Sequence, residues 1–157
     1  MFKINQTNLF NKIPDGILFD TDNTLYPYDP VHQKAMSALK RKISNTLNVP
    51  VKDVEKNFNQ ARSEVKKLLK NSAASHSRLL YIQRMLEFFG LGSQVMLALD
   101  FEQTYWRVFL SEAKLFPDLE KLLEELRLLQ MPMAIVTDLT AQIQFRKMVY
   151  FDLDHYF

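Results

Sequence analysis

The chain has 157 residues, a formal net charge of +2, and 47% apolar and 24% charged residues. Length and composition fit one ordinary globular domain, long enough to bury a substantial core. The absence of cysteine excludes disulfides, thiolate metal sites and cysteine nucleophiles together.

The glycines, Gly16, Gly90 and Gly92, make no G-x-G-x-x-G fingerprint, Walker loop or G-x-S-x-G elbow. His32, His76 and His155 are far apart and form no H-E-x-x-H pair. The remaining polar chemistry is that of carboxylates and hydroxyls. A pI near 8.8 is too mild to argue for nucleic acid. The basic stretches Lys40-Arg41-Lys42 and Lys66-Lys67 with Lys70 read as solvated helix faces. The first residues, Met1 to Gln6, lack an apolar stretch of leader length. No apolar run reaches the roughly 18 residues of a membrane span. A soluble, cytoplasmic chain without a membrane or nucleic-acid partner is therefore expected.

Gly16-Ile17-Leu18-Phe19 is a short apolar run between Pro14-Asp15 and a polar cluster, which predicts a buried strand in a parallel sheet. Residues 20–30, rich in Asp, Asn, Thr, Tyr and Pro, predict a loop. Helical periodicity follows over 31–47, stopping at Asn48-Val49-Pro50, and over 51–70, with Val54, Phe58, Ala61, Val65, Leu68 and Leu69 on one face. It resumes over 77–89, where Gly90 is the stop, and over 93–111, with Val95, Met96, Leu99, Tyr105, Trp106 and Phe109 as its apolar residues. The aromatic stripe is better explained as core than as a surface for stacking a base. Pro117 and Asp118 are expected to open a further helix, with proline in its first turn and an acid at its positive end. Leu119, Leu122, Leu123, Leu126 and Leu129 form the stripe of that helix before Met131-Pro132 break it. Residues 133–136 predict a second buried strand and 140–149 a last helix. Two such strands joined through helices imply a right-handed parallel crossover, with residues 30–111 inserted as a helical block.

Each strand ends in a polar cluster: Asp20-Thr21-Asp22-Asn23-Thr24 after the first, Thr137-Asp138 after the second. Ligands of open parallel sheets bind outside the carboxyl ends of strands, so both clusters should meet at one crevice. Two loop acids alone are ordinary turn caps. Two acids straight after a buried strand, followed by Asn23-Thr24-Leu25-Tyr26-Pro27, are a stronger signal.

Residues 17–26, an apolar strand followed by D-x-D-x-T, resemble the first motif of the haloacid dehalogenase-like hydrolase superfamily. Ala134-Ile135-Val136-Thr137 resembles its second motif, and the ending Phe151-Asp152-Leu153-Asp154-His155-Tyr156-Phe157 resembles its "GLD-x-YF" segment. The helical block is similar to the inserted cap of subclass I. The resemblance implies an α/β fold, a partial Rossmann-like parallel sheet made of residues 1–29 and 112–157, with residues 30–111 as the cap. It implies Asp20 as the nucleophile that forms an aspartyl-phosphate. Asp22 is the implied general acid and base, and Thr137 a ligand of a phosphoryl oxygen. Two carboxylates this close repel unless a cation neutralises them. The resemblance supplies Mg²⁺, held by the Asp20 carboxylate and the Asp22 carbonyl. Thr24 and Asp138 are candidate substrate contacts. Loop ordering by Thr24 and helix capping by Asp138 are the competing roles.

Dehalogenases of this superfamily lack the second aspartate, so Asp22 favours a phosphatase acting on a small phosphorylated metabolite or nucleotide. The Asn-Thr-Leu-Tyr-Pro wording is similar to that of a pyrimidine 5′-nucleotidase-like branch. The resemblance also implies a lysine motif and a later acidic motif, both beyond Phe157. Every lysine before that point reads as a cap or surface residue. The chain is therefore expected to be truncated before those motifs, with hydrolysis near background and self-association through an open sheet edge. The alternative is a catalytically incomplete remnant that acts, if at all, as a binding or interaction protein.

Overall fold

The computed structural model describes residues 14–157. Met1 to Gln6, and the first part of the expected core segment 1–29, lie outside the described residues. Strand β1 (Ile17–Phe19) leads into helices α1 (Tyr28–Leu47), α2 (Val51–Leu69), α3 (Arg78–Phe88) and α4 (Val95–Glu112). Helix α5 (Leu119–Leu128), strand β2 (Met133–Ile135) and helix α6 (Ala141–Tyr150) complete the order. Short 3₁₀ turns cover Ala73–His76 and Asp154–Tyr156. The fold is α/β, mostly helical with a short parallel sheet.

The two strands pair in parallel, with Ile17 opposite Met133, Leu18 opposite Ala134 and Phe19 opposite Ile135. Ile17 N–H donates to the Pro132 carbonyl at 2.8 Å, and Val136 N–H to the Phe19 carbonyl at 2.9 Å. At Gly16 the neighbouring strand comes so close that a Cβ would lie 3.2 Å from the Pro132 carbonyl oxygen. The expectation of buried strands is corrected. Leu18 is 72% exposed and Val136 57% exposed, because one face of this two-stranded sheet has no helix over it among the described residues. The other face is half-buried, and Phe19 there meets Phe157 edge-on at 5.8 Å between ring centroids.

The helices pack as α1 on α4, α2 on α3, α3 on α4 and α1 on α2. Their apolar stripes supply most of the core: Leu39 and Ile43 from α1, Val54 and Phe58 from α2, Met85 and Leu86 from α3, Phe101 and Phe109 from α4. Tyr105, Trp106 and Phe109 are all buried, as a core stripe requires, whereas Val95, Met96 and Leu99 at the start of α4 and Leu68 at the end of α2 are exposed, which corrects their place on the expected apolar faces. Leu25 and Tyr26, at the end of the loop after β1, are wholly buried in the same cluster and pin that loop to the helices.

Three boundaries differ from the expected ones for physical reasons. Helix α1 starts at Tyr28, inside the expected loop, because a proline at position 30 sits in the first turn, where its missing N–H costs nothing. Pro117 and Asp118 precede α5 instead of opening it. Asp118 has φ of 66° and makes no side-chain cap, and Glu120 is the acid in the first turn. Thr140, not Asp138, is the residue before α6, which removes the capping role considered for Asp138. Elsewhere the stops act as expected: Asn48 ends α1 in the left-handed conformation with φ of 52°, and Gly90 follows α3 at φ of 73°.

Candidate active site

The loop after β1 is wound into a compact turn. Thr24 N–H donates to the Thr21 carbonyl at 3.2 Å, Leu25 N–H to the same oxygen at 2.9 Å, and Asn23 N–H to the Tyr26 carbonyl at 2.9 Å. Asn23 adopts φ of 62°, a conformation asparagine tolerates, and its side-chain oxygen accepts from Tyr28 N–H at 2.8 Å. The carboxyl end of β1 is thereby joined to the start of α1. Asp20 is exposed and Asp22 is partly buried. Thr24 is exposed and takes part in the turn through its backbone.

Across the crevice, Thr137 follows β2. Its Oγ1 accepts from Leu139 N–H at 3.1 Å and from Gln144 Nε2 at 2.8 Å. The same Gln144 nitrogen donates to Thr21 Oγ1 at 2.7 Å. One amide on α6 thus ties together the polar ends of both strands. With both acceptor positions of Thr137 filled, its O–H is left as a donor, which suits a phosphoryl oxygen. Asp138 is exposed, and its charge opposes the downward push that burial and Lys66 exert on the His76 pKa.

Lys147, one turn after Gln144 on α6, is 1% exposed. Its Nζ donates to Asp22 Oδ1 at 2.8 Å. The Tyr26 hydroxyl donates a short hydrogen bond to the same oxygen. Burial pushes the Lys147 pKa below the ordinary lysine range, while Asp22 and, more weakly, Asp20 hold it up. Burial first, and then Asp22, push the Tyr26 hydroxyl upward, so it remains a donor near neutral pH. The expectation that every lysine belongs to the cap or to a surface helix is corrected by Lys147. Its ammonium sits against the second aspartate of D-x-D.

Sequence reasoning missed Gln144, Lys147 and Tyr26. A signal for the first two existed, since they alternate with Ile143 and Met148 on the buried side of α6. Polar residues at positions where a helix faces inward need partners.

The resemblance puts a cation at the Asp20 carboxylate and the Asp22 carbonyl; Asp20 is exposed, and Asp22 Oδ1 is already held by Lys147 and Tyr26. An all-oxygen pair fits a hard divalent ion that keeps several waters.

Residues 14–157 match the haloacid dehalogenase-like hydrolase family. The chain belongs to that family. Its members generally use a divalent metal ion. The chain is 37% identical over 142 residues to the ribulose-1,5-bisphosphate 5-phosphatase of Halopiger xanaduensis, covering 90% of this chain and 59% of that protein. It therefore spans less than two thirds of that relative. A HAD phosphatase from Thermococcus onnurineus superposes with a TM-score of 0.59 at 22% identity, over 90% of this chain and 59% of the other. A 2-haloacid dehalogenase from Pseudomonas syringae superposes equally well, with a TM-score of 0.59 at 21% identity, over 89% of this chain and 60% of the other. Both likenesses establish the fold of this haloacid dehalogenase-like chain. Because one is a phosphatase and the other a dehalogenase, the choice of chemistry rests on the site.

Proposed function

We propose that this protein is a Mg²⁺-dependent phosphate monoester hydrolase that works through an aspartyl-phosphate intermediate. The substrate is a small phosphorylated metabolite or nucleotide, and helices α1 to α4 act as the cap over the site. The observation that carries the reading is the tie through Gln144, which holds the ends of β1 and β2 together beside the Lys147–Asp22 pair. The phosphatase named among its relatives supports phosphoryl chemistry over attack at carbon, as does the presence of Asp22.

In this reading a carboxylate oxygen of Asp20 attacks phosphorus and the bond from phosphorus to the ester oxygen breaks. Asp22 gives a proton to the departing oxygen. Its Oδ1 is occupied by Lys147 and Tyr26, so the proton travels on Oδ2. Water then attacks phosphorus, Asp22 takes the proton from that water, and the bond to Asp20 breaks. The products are an alcohol and inorganic phosphate. Thr137 O–H holds a phosphoryl oxygen in both steps. A divalent ion at the Asp20 carboxylate and Asp22 carbonyl would supply charge neutralisation. Self-association belongs to the same proposal: the edges of β1 and β2 away from each other are unpaired among the described residues, and such edges invite pairing with another chain.

The test is turnover of p-nitrophenyl phosphate by the full natural chain. Asp20→Asn should abolish it, because an amide cannot serve as the nucleophile, and Asp22→Asn should lower it by about 10²–10⁴-fold. EDTA should stop the reaction and Mg²⁺ should restore it. Undiminished turnover by Asp20→Asn, with deamidation excluded by mass, refutes the mechanism.

A further inference from the structure

A cavity of about 630 Å³ opens between the loop after β1 and helices α1 and α2, and reaches the first residues of α3. Asp22 and Leu139 line its core end. Among neutral and aromatic side chains its wall carries the cations Lys40, Arg41, Arg62, Lys66 and Arg78, and Asp22 and Glu55 are its carboxylates. Those carboxylates are already committed: Glu55 accepts from Lys40 at 2.6 Å and Asp22 from Lys147 at 2.8 Å. Arg41, Arg62, Lys66 and Arg78 pair with no carboxylate among the described residues. Residues 1–13 contain neither Asp nor Glu. Charge on this wall is therefore strongly one-sided.

Arg78 is the unusual member, for it is only 8% exposed. Its guanidinium lies 4.2 Å from the centre of the Tyr105 ring and 4.9 Å from that of Trp106. Nη2 donates to the Tyr28 hydroxyl at 2.7 Å. Aromatic faces stabilise the cation, but they do not replace an anion, and a buried charge without a counter-ion is costly. Arg62 and Lys66 are one turn apart on α2, so their side chains share a helix face. The ordinary reading of exposed cations is solvation. It accounts for Lys67 and Lys70, which are exposed and lie outside the cavity. It does not account for Arg78.

We propose that Arg62, Lys66 and Arg78 form a subsite for a second phosphate of the substrate, remote from the one attacked by Asp20. The substrate class is then a small bisphosphorylated metabolite instead of a nucleoside monophosphate. This rests on the phosphatase reading above and deepens it. The guanidinium of Arg78 offers a planar fork for two phosphate oxygens, and Lys66 a point charge. His32 reports the same field, since burial and then Arg78 and Arg62 press its pKa down to about 4.

Calorimetric binding of pentane-1,5-diol bisphosphate and of pentyl monophosphate, without turnover, tests the proposal in the full natural chain. The bisphosphate should bind about tenfold to a hundredfold more tightly, the value of one charge-assisted hydrogen bond. The double variant Arg62→Gln with Lys66→Gln changes only side chains at the cavity wall, and its fold is checked by circular dichroism. It should remove most of that advantage and leave monophosphate affinity unchanged. Arg78→Gln should do the same, with the double variant deciding if Arg78→Gln does not fold. Equal affinity for the two ligands overturns the inference. So does an undiminished advantage in the double variant. Equal loss for both ligands also overturns it, because the cluster would then hold a lone phosphate. Failure of the phosphatase reading shows separately, as unchanged turnover in Asp20→Asn.

Discussion

Asp22→Asn should destabilise the fold far more than Lys147→Met, although the two side chains form one ion pair. Lys147 is 1% exposed, whereas the Asp22 side chain is 28% exposed. Removing one partner of a fully buried pair typically costs about 3–5 kcal/mol, because the other charge is left uncompensated. Asp22 is partly solvated, and the asparagine oxygen still accepts a hydrogen bond, so the expected cost of Asp22→Asn is about 2–3 kcal/mol. Lys147→Met removes the charge and keeps the apolar stem. It leaves Asp22 with water and the Tyr26 hydroxyl, at an expected cost of about 0–1 kcal/mol. In the Lys147→Met background, Asp22→Asn should then cost under about 1 kcal/mol, a coupling of roughly 1–2 kcal/mol in a double-mutant cycle. Urea denaturation followed by far-UV circular dichroism measures all four proteins at pH 7. Equal, additive losses for the two single variants would refute the view that the lysine is the stranded charge.

Gln144→Ala should cost about 1–3 kcal/mol, since it unties Thr21 from Thr137 and leaves the buried Thr21 hydroxyl short of a partner; thermal denaturation measures this, and Gln144→Glu should not restore it. The His32 pKa is lowered from 6.5 to about 4 in the fold, so the folded state disfavours its protonation. The associated stability is complete above about pH 6.5 and is lost as pH falls through about 4. His32 is only half-buried, and after allowance for solvent screening the loss is about 1–2 kcal/mol. His32→Gln should flatten that part of the stability–pH curve relative to wild type.

The order of elements was legible because hydrophobic spacing changes where structure changes. Ile17-Leu18-Phe19 and Met133-Ala134-Ile135 are short runs with polar ends, and the stripes between them repeat at helical spacing. The placement of Asp20, Asp22 and Thr137 at strand ends was legible for the same reason. Strand burial was not. Apolar content indicates what a segment can bury, whereas the cover over Leu18 and Val136 depends on the rest of the sheet. Gln144 and Lys147 were missed because their partners lie more than a hundred residues away in sequence. No local pattern pairs a lysine on α6 with an aspartate after β1. Arg78 escaped notice similarly, since its burial comes from Tyr105 and Trp106 on a different helix.

The pairing of Ile17 with Met133 closes a loop that contains helices α1 to α5. Within that span α1 meets α2, α2 meets α3 and α3 meets α4 as neighbours in sequence, which favours their early formation, whereas α1 on α4 is itself a non-local contact. The strand pair closes a still longer span, and its closure entropy is reduced once the intervening chain has condensed. The expected order of assembly is therefore helices first, sheet last. The carboxylates after β1 come to face Thr137 only at that final step. A chain that has reached its full helical content can therefore still lack the reactive crevice, and slow recovery of strand pairing would set the time at which a refolding molecule becomes competent.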